Sequence, residues 1–201
     1  MKTYLPAIFP LVDHASRIVI AEDEAIIRLD LREMLEEEGY EVVGEAGNGE
    51  TALQLTQELK PDLVILDIFM PGMDGLTAAA RINEEELAAV LILTAFSQRD
   101  LVEQATRTGA MAYLVKPFDK GDLVPAVELA MARWAEVRAL AAESKNLSER
   151  LESRKLVERA KGVLMQTHGL SEQDSFRFIQ KLAMQRRSSM REVADQLLRQ
   201  Q

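Results

Sequence analysis

Three carboxylates, one hydroxyl and one amine stand at the ends of short apolar runs in this chain. Glu22 and Asp23 follow one run, Asp67 ends a second, and Thr94 and Lys116 end two more. If the fold brings them together, the carboxylates repel one another and require a divalent cation, and oxygen ligands favour Mg²⁺. A carboxylate beside such a cation can attack a phosphoryl donor and form an acyl phosphate. Asp67 is therefore the candidate nucleophile, Lys116 the countercharge and Thr94 a hydroxyl that bonds a phosphoryl oxygen.

Five apolar runs rich in β-branched residues must position these groups, and each is a predicted buried strand. They are "RIVIA" (17–21), "EVVGEA" (41–46), "DLVILD" (62–67), "AVLILTA" (89–95) and "AYLVK" (112–116). Segments with helical spacing alternate with these strands, which predicts parallel strands with helices on both faces of one sheet. Ligands of such sheets bind beyond the carboxyl ends of the strands, where the five chemical groups lie.

Asp122 is the predicted helix cap, because Pro125 would then lie in the first turn, where proline is tolerated. From Asp122 onward the sequence predicts only helices. A heptad pattern of about two and a half repeats predicts either a coiled-coil seam between two copies or a stripe that packs on its own domain. The pattern consists of Val137, Leu140, Ser144, Leu147 and Leu151.

Three short amphipathic helices are predicted after the heptad pattern. The first runs from about Leu156 to Gln166 and stops at Gly169, a natural left-handed cap. Ser171 and Ser189 each have an acidic residue three positions later, the spacing of a capping box, and mark the starts of the second and third helices. The three can bury their apolar faces against one another as a small bundle.

Charge is divided unevenly along the chain. The net charge is −9, yet residues 145–201 hold 12 Lys and Arg against 7 Asp and Glu. A basic tail on an acidic body points to an anionic partner such as nucleic acid, or to solvated helix faces. Cysteine is absent, which excludes disulfides and thiolate sites. No segment is apolar enough to span a membrane, residues 1–16 are expected to form an arm rather than a signal peptide, and a cytoplasmic protein is expected.

The segments "VIAEDE", "DLVILDIFMPGMDG", "ILTAF" and "YLVKPF" resemble the receiver domain of two-component response regulators. The resemblance covers about residues 17–135 and implies a flavodoxin-like domain with a five-stranded parallel sheet in the order 2-1-3-4-5. It implies that Asp67 accepts a phosphoryl group from a sensor histidine kinase. Asp23, Asp67 and the backbone carbonyl of Phe69 would bind Mg²⁺ directly, and Glu22 would bind it through water.

The same resemblance assigns roles in signalling. Thr94 and Lys116 match the switch hydroxyl and the phosphoryl-binding lysine, and Tyr113 matches an aromatic residue that changes rotamer when the threonine closes on the phosphoryl group. Met70, Pro71 and Gly75 would shape the loop after the acceptor.

Phe69 and Phe96 each lie two residues past a reactive position, Asp67 and Thr94 respectively. Two bulky rings there should hinder water from attacking the acyl phosphate. The sequence thus leads to the hypothesis of a long-lived phosphoryl state.

The tail "LVERAKGVLMQTHGLSEQDSFRFIQKLAMQRRSSMREVADQLL" is similar to the ANTAR domain, an RNA-binding antitermination module. This resemblance implies binding of stem-loops in leader transcripts, commonly by a homodimer. The whole chain beyond the arm is similar to phosphorylation-dependent antitermination regulators of actinobacteria. The RNA-contact candidates are Arg154, Lys155, Arg159, Lys161 and Gly162. Ala160, also small, is either another point of close approach or a core residue.

Taken together, the expected domains are an arm (1–16), a receiver (17–135), a helical coiled-coil linker (136–153) and an all-α three-helix RNA-binding domain (154–201). The expected protein is a regulator that assists its own phosphoryl transfer, not a turnover enzyme. Two alternatives stay open. One is a DNA-binding transcription factor, although the third tail helix is poor in base-reading residues. The other is a phosphorelay or interaction module whose tail only dimerises.

Overall fold

A computed structural model describes residues 15–95 and 108–199. The predicted arm lies almost wholly outside these ranges, as does Phe96. The described elements, in chain order, are β1 (Arg17–Ala21), α1 (Ala25–Glu37), β2 (Glu41–Ala46), α2 (Gly49–Leu59), β3 (Leu63–Asp67), α3 (Gly75–Glu84), β4 (Ala89–Thr94), β5 (Ala112–Val115), α4 (Lys120–His168), α5 (Glu172–Arg186) and α6 (Met190–Arg199).

The five strands form one parallel sheet in the order β2-β1-β3-β4-β5. All five predicted strands and the predicted order are confirmed, with bounds that differ by at most one residue at an end. The order reverses between β1 and β3, so a crevice opens there beyond the carboxyl ends of these two strands.

Two hydrophobic layers cover the sheet, because successive side chains of a strand point to opposite faces. Val19 and Val64 pack in one layer with residues of α2 and α3. Ile18 and Ile65 pack in the other layer with residues of α1 and of the first three turns of α4. Strands buried on both faces explain why the predicted runs are continuously apolar.

The chain divides into two compact units, Met1–Val137 and Arg138–Gln201. The second consists of the later part of α4 together with α5 and α6, so three helical segments are present as predicted. The separate first tail helix, expected from about Leu156, is wrong because α4 is one continuous helix of 49 residues. Residues 126–161 of this helix include no proline and no glycine, so its sequence contains no helix breaker there.

The start of α4 also differs from the expectation. The side chain of Asp119 accepts the backbone N–H of Asp122 at 3.1 Å, and the side chain of Asp122 accepts the N–H of Asp119 at 3.3 Å. Asp119 is therefore the cap and Asp122 its partner three residues on, so Pro125 lies in the second turn rather than the first.

The caps predicted in the tail are confirmed. α4 ends at His168 and Gly169 has a φ of +64°, a backbone conformation that favours glycine. The hydroxyl of Ser171 accepts the N–H of Asp174 at 3.1 Å, and that of Ser189 accepts the N–H of Glu192 at 3.2 Å. Helices α5 and α6 begin directly after these two serines.

A small core holds the three tail segments together. It is built from Ala160, Leu164, Ile179, Ala183, Val193 and Ala194. Ala160 is fully buried, so the core alternative for this residue is confirmed.

The heptad stripe of α4 is not buried by any part of the chain that the structure describes. Its four large residues are between 48% and 59% exposed, and Ser144 is exposed as well. None of the described residues buries the stripe, which favours the alternative of a seam between two copies. None of the helices in residues 15–95 and 108–199 combines the length and apolarity that crossing a membrane requires.

Candidate functional site: an acidic cluster with one lysine

The strand register brings the five chemical groups to one edge of the sheet. Ala21 pairs with Leu66, so the residue after it, Glu22, is level with Asp67. Asp67 pairs with Leu93 on β4, and Thr94 pairs with Val115 on β5. The residues that follow these pairs, Lys116 among them, therefore lie side by side across four adjacent strands.

Three carboxylates meet at this edge. Oxygen atoms of Glu22, Asp23 and Asp67 lie within 4.8 Å of one another. Glu22 and Asp67 are buried, whereas Asp23 is exposed at the mouth of the crevice. The sequence placed these three residues together, and the structure brings them together.

One ammonium group lies among them. Nζ of Lys116 is 2.5 Å from Oε2 of Glu22 and 3.2 Å from Oδ1 of Asp67. The other carboxylate oxygen of Glu22, Oε1, accepts the backbone N–H of Glu24 at 3.3 Å. Lys116 is thus closer to Glu22 than to the candidate nucleophile.

The pKa values of three groups in this cluster are raised above their ordinary values. Burial raises the pKa of Glu22, and it also raises the pKa of Asp67 although Lys116 opposes the effect. Burial alone would lower the pKa of Lys116, but its bonds to Glu22 and Asp67 outweigh burial and raise that pKa. Three acidic groups around one lysine leave an excess of negative charge in a partly desolvated crevice, which fits a divalent cation with oxygen ligands.

The loop after Asp67 is fixed by a close backbone contact. A Cβ atom on Gly75 would lie 1.9 Å from the carbonyl oxygen of Asp67, so a larger residue cannot occupy this position. The N–H of Gly75 donates to the carbonyl of Ile68 at 3.0 Å, and the loop residue Met70 is buried. The expected part of Gly75 in shaping the loop therefore has a steric reason.

The remaining predicted receiver residues lie at different depths. Thr94 is buried at the end of β4. Tyr113 on β5 is half exposed, as is the ring of Phe69, which is two residues past Asp67. The second ring of the timing hypothesis, Phe96, lies outside the described residues.

Sequence reasoning missed Arg28. Its guanidinium donates to the backbone carbonyl of Glu22 and forms an ion pair with Glu45 at 3.3 Å. Arg28 thereby links α1 and β2 to the turn that carries the acidic pair. Its position about one turn after the acidic pair, on the helix that follows, was the only sequence signal.

The five RNA-contact candidates of the tail have four different environments, the last of which is that of Lys161. Arg154 and Arg159 are exposed, and no carboxylate of the described residues forms an ion pair with either. Lys155 is exposed and paired with Glu152 at 2.9 Å. Around Gly162 there is open space, because a Cβ atom there would meet nothing within 4 Å.

Lys161 is held by two carboxylates of the chain. Its side chain is only 8% exposed, and Nζ lies 2.8 Å from carboxylate oxygens of both Glu158 and Glu172. These hydrogen bonds raise the pKa of Lys161, so the group remains charged and engaged within the chain. It joins α4 to the first turn of α5, and an RNA phosphate could reach it only if both ion pairs opened.

Comparison with known proteins agrees with this geometry. Residues 18–128 match the response regulator receiver domain, and residues 145–198 match the ANTAR domain. The chain is 59% identical over 182 residues to the transcriptional regulatory protein PdtaR of Mycobacterium tuberculosis, covering 90% of this chain and 89% of the relative. It is also 38% identical to the chemotaxis protein CheY of Thermotoga maritima, and this match covers 55% of this chain and 93% of CheY.

A solved structure, a two-component response regulator of the LuxR family from Aurantimonas, superposes with a TM-score of 0.56 at 30% identity. It covers 62% of this chain and 99% of its own. The chain therefore belongs to the response regulator family, with a receiver domain followed by an ANTAR domain, and is a regulator rather than a turnover enzyme.

Proposed function

We propose that this response regulator accepts a phosphoryl group on Asp67 from a sensor histidine kinase and thereby controls RNA binding in transcription antitermination. The observation that carries the first half is the cluster of three carboxylates within 4.8 Å, with Lys116 beside Asp67. In this proposal residues 17–135 form the receiver, 136–153 the linker and 154–201 the RNA-binding domain, and the protein acts in the cytoplasm.

Asp67 is the group that reacts. One of its carboxylate oxygens attacks phosphorus, the bond from phosphorus to the donor's imidazole nitrogen breaks, and the imidazole leaves with the electron pair of that bond. Lys116 pairs with a phosphoryl oxygen, and the hydroxyl of Thr94 donates to another.

Mg²⁺ fits the donor set of this crevice. Asp23, Asp67 and the backbone carbonyl of Phe69 would hold it directly and Glu22 through water, and when bound it neutralises charge on the oxygens of the transferred group. The burial of Glu22 and Asp67, which disfavours their ionised forms, supports this assignment.

Tyr113 is the proposed link from the site to the surface. Thr94 moves toward the phosphoryl group, and the ring of Tyr113 then changes rotamer. The half-exposed position of Tyr113 on β5, the strand next to that of Thr94, supports this role because the ring has room to turn.

The proposed output is binding of stem-loops in leader transcripts. The match of residues 145–198 to the ANTAR domain and the excess of cations in the tail support it. Arg154, Lys155, Arg159 and Gly162 remain the contact candidates on α4, and Lys161 has a packing role instead.

A second copy of the chain is the proposed partner of the heptad stripe. Four large aliphatic side chains are exposed at heptad spacing on one helix, and burial of each is worth roughly 1.5–3 kcal/mol. We also keep the hypothesis that Phe69 and Phe96 slow hydrolysis of the acyl phosphate.

The acceptor assignment is tested with a small phosphoryl donor such as acetyl phosphate and the intact mass of the protein. Wild-type chain should gain one phosphoryl group when Mg²⁺ is present and none after chelation. Asp67→Asn should gain none, whereas Glu33→Gln, at an exposed position of α1, should behave as wild type. Equal phosphorylation of wild type and Asp67→Asn would exclude Asp67 as the acceptor.

A further inference from the structure

One face of α5 is turned away from the tail core. It consists of Arg177, Phe178, Lys181 and Met184, which fall within about 120° of the helix circumference at 100° per residue. All four are exposed, Phe178 by 46% and Met184 by 72%, while the opposite side of the helix is buried. We refer to these four residues as the outer face of α5.

The cations of this face are available to a ligand. Among the residues that the structure describes, no carboxylate forms an ion pair with Lys181. Arg177 lies 4.0 Å from Asp174, and both side chains are more than half exposed, so the pair contributes little. The carboxylate of Asp174 also accepts the hydroxyl of Ser171 at 2.7 Å, which keeps it at the start of the helix.

The composition distinguishes this face from the heptad stripe of α4. The stripe is aliphatic and contains no charged residue, which suits another copy of the chain. On the outer face of α5, an aromatic ring lies next to a lysine three residues on, about 5–6 Å away between Cβ atoms. An apolar protein partner would have to desolvate two cations that have no strong counter-ion, which is costly. An unpaired nucleotide instead offers a base to the ring and a phosphate to the cations.

We propose that the outer face of α5 binds an unpaired base in the loop of an RNA stem-loop. The ring of Phe178 stacks on the base, and Lys181 and Arg177 pair with the flanking phosphates. This inference rests on the proposed RNA-binding function and sharpens it, because it assigns recognition of the loop to α5 and leaves the paired stem to the cations of α4.

The test uses the full-length chain and a pool of RNA stem-loops with randomised loops, enriched on immobilised wild-type protein. Affinity for the enriched pool is compared with affinity for a blunt duplex made from the same stem. The central variant is Phe178→Leu, with Phe178→Trp as the conservative change. The matched control is Phe176→Leu, since Phe176 is 42% exposed on the same helix but lies outside the outer face.

Phe178→Leu should bind the stem-loop about tenfold more weakly and the duplex as wild type does, because loss of one stacked base removes a sequence-tolerant contact. Phe178→Trp should retain stem-loop binding, and Phe176→Leu should match wild type on both RNAs. Lys181→Gln should reduce the slope of log affinity against log salt by about one.

Three results would overturn the inference. If Phe178→Leu and Phe176→Leu bind the stem-loop equally while wild type binds it well, RNA binding stands and the base site does not. A change of self-association of Phe178→Leu in sedimentation, with unchanged RNA affinity, would assign the face to a second copy. Failure of wild type to enrich any stem-loop would remove the proposed RNA function together with this site.

Discussion

Lys116 has two carboxylates within reach and lies nearer to Glu22 than to Asp67. Glu22 is fully buried and both of its carboxylate oxygens already have donors, Glu24 N–H and Lys116. A cation that draws on the charge of Glu22 therefore competes with Lys116. Release of the ammonium from Glu22 would make it available for the phosphoryl group on Asp67.

This competition can be measured by binding of Mn²⁺, a paramagnetic substitute for Mg²⁺. Lys116→Met should raise Mn²⁺ affinity by about tenfold when Glu22 is present, because a close, partly buried ion pair is worth on the order of 1–2 kcal/mol. In a Glu22→Gln background, Lys116→Met should raise Mn²⁺ affinity only about twofold.

The control is Lys120→Met, since Lys120 pairs with Glu37 and Glu38 on the surface. It should leave Mn²⁺ affinity unchanged. An equal effect of Lys116→Met in both backgrounds would show that Asp67, not Glu22, holds the lysine.

Gly162 lies inside α4, and packing within the described residues does not require a glycine there. A Cβ atom there meets nothing within 4 Å, and glycine costs a helix about 1 kcal/mol relative to alanine. Gly162→Ala should therefore raise the free energy of unfolding by about that amount, measured by denaturant titration. If RNA approaches the helix backbone there, the same variant should bind stem-loops more weakly. Unchanged RNA affinity in a stabilised variant would remove Gly162 from the contact set.

Residue types and spacing sufficed to predict Glu22, Asp23, Asp67 and Lys116 as one cluster, because parallel strands must end at the same edge. They did not predict which carboxylate Lys116 prefers, which depends on side-chain length and burial. For the same reason the ion pairs of Lys161 were not predicted. Its two partners lie three and eleven residues away, and the sequence does not indicate that α5 folds back onto this part of α4.

At the scale of elements, α4 is the main departure from the sequence prediction. The heptad pattern and the apolar face of the first tail segment were both recognised, but the separate helix start expected at about Leu156 does not exist. Along this helix, the apolar residues change from the exposed heptad stripe to residues buried in the small tail core. Leu151 is exposed, whereas Ala160 and Leu164, farther along the same helix, are buried. A prediction from apolar periodicity places a boundary where the apolar side of the helix changes, even when the helix is continuous.

The seam prediction belongs to this scale. Leu140→Ser with Leu147→Ser should weaken self-association of the phosphorylated chain by at least about tenfold, because each leucine contributes on the order of 1.5–3 kcal/mol when buried. The measurement is sedimentation equilibrium. Leu29→Ser is the control, since Leu29 on α1 is similarly exposed but lies outside the stripe. Self-association that is equal in wild type and the double variant would show that the stripe is not the contact between copies.

At the scale of the whole molecule, the chain joins an acidic receiver to a basic tail. The tail's charge excess and its ANTAR match support an anionic partner. So do Arg154, Arg159 and Lys181, which form no ion pair with any described carboxylate. Composition alone indicated this division, since charge is read directly from the sequence. The sequence could not predict which cations form ion pairs, because pairs such as those of Lys155 and Lys161 depend on where the carboxylates lie in the folded chain.

The central claim is that phosphorylation of Asp67 controls RNA binding by the tail. The most direct measurement is the affinity of the full-length chain for an enriched stem-loop RNA, with duplex DNA as competitor, before and after phosphorylation by acetyl phosphate. We predict that phosphorylation tightens binding by about tenfold or more, because pairing of two copies lets two tails engage one RNA. Asp67→Asn should not respond, and duplex DNA should not compete. RNA affinity that is the same in both states, or that changes equally in Asp67→Asn, would contradict the account.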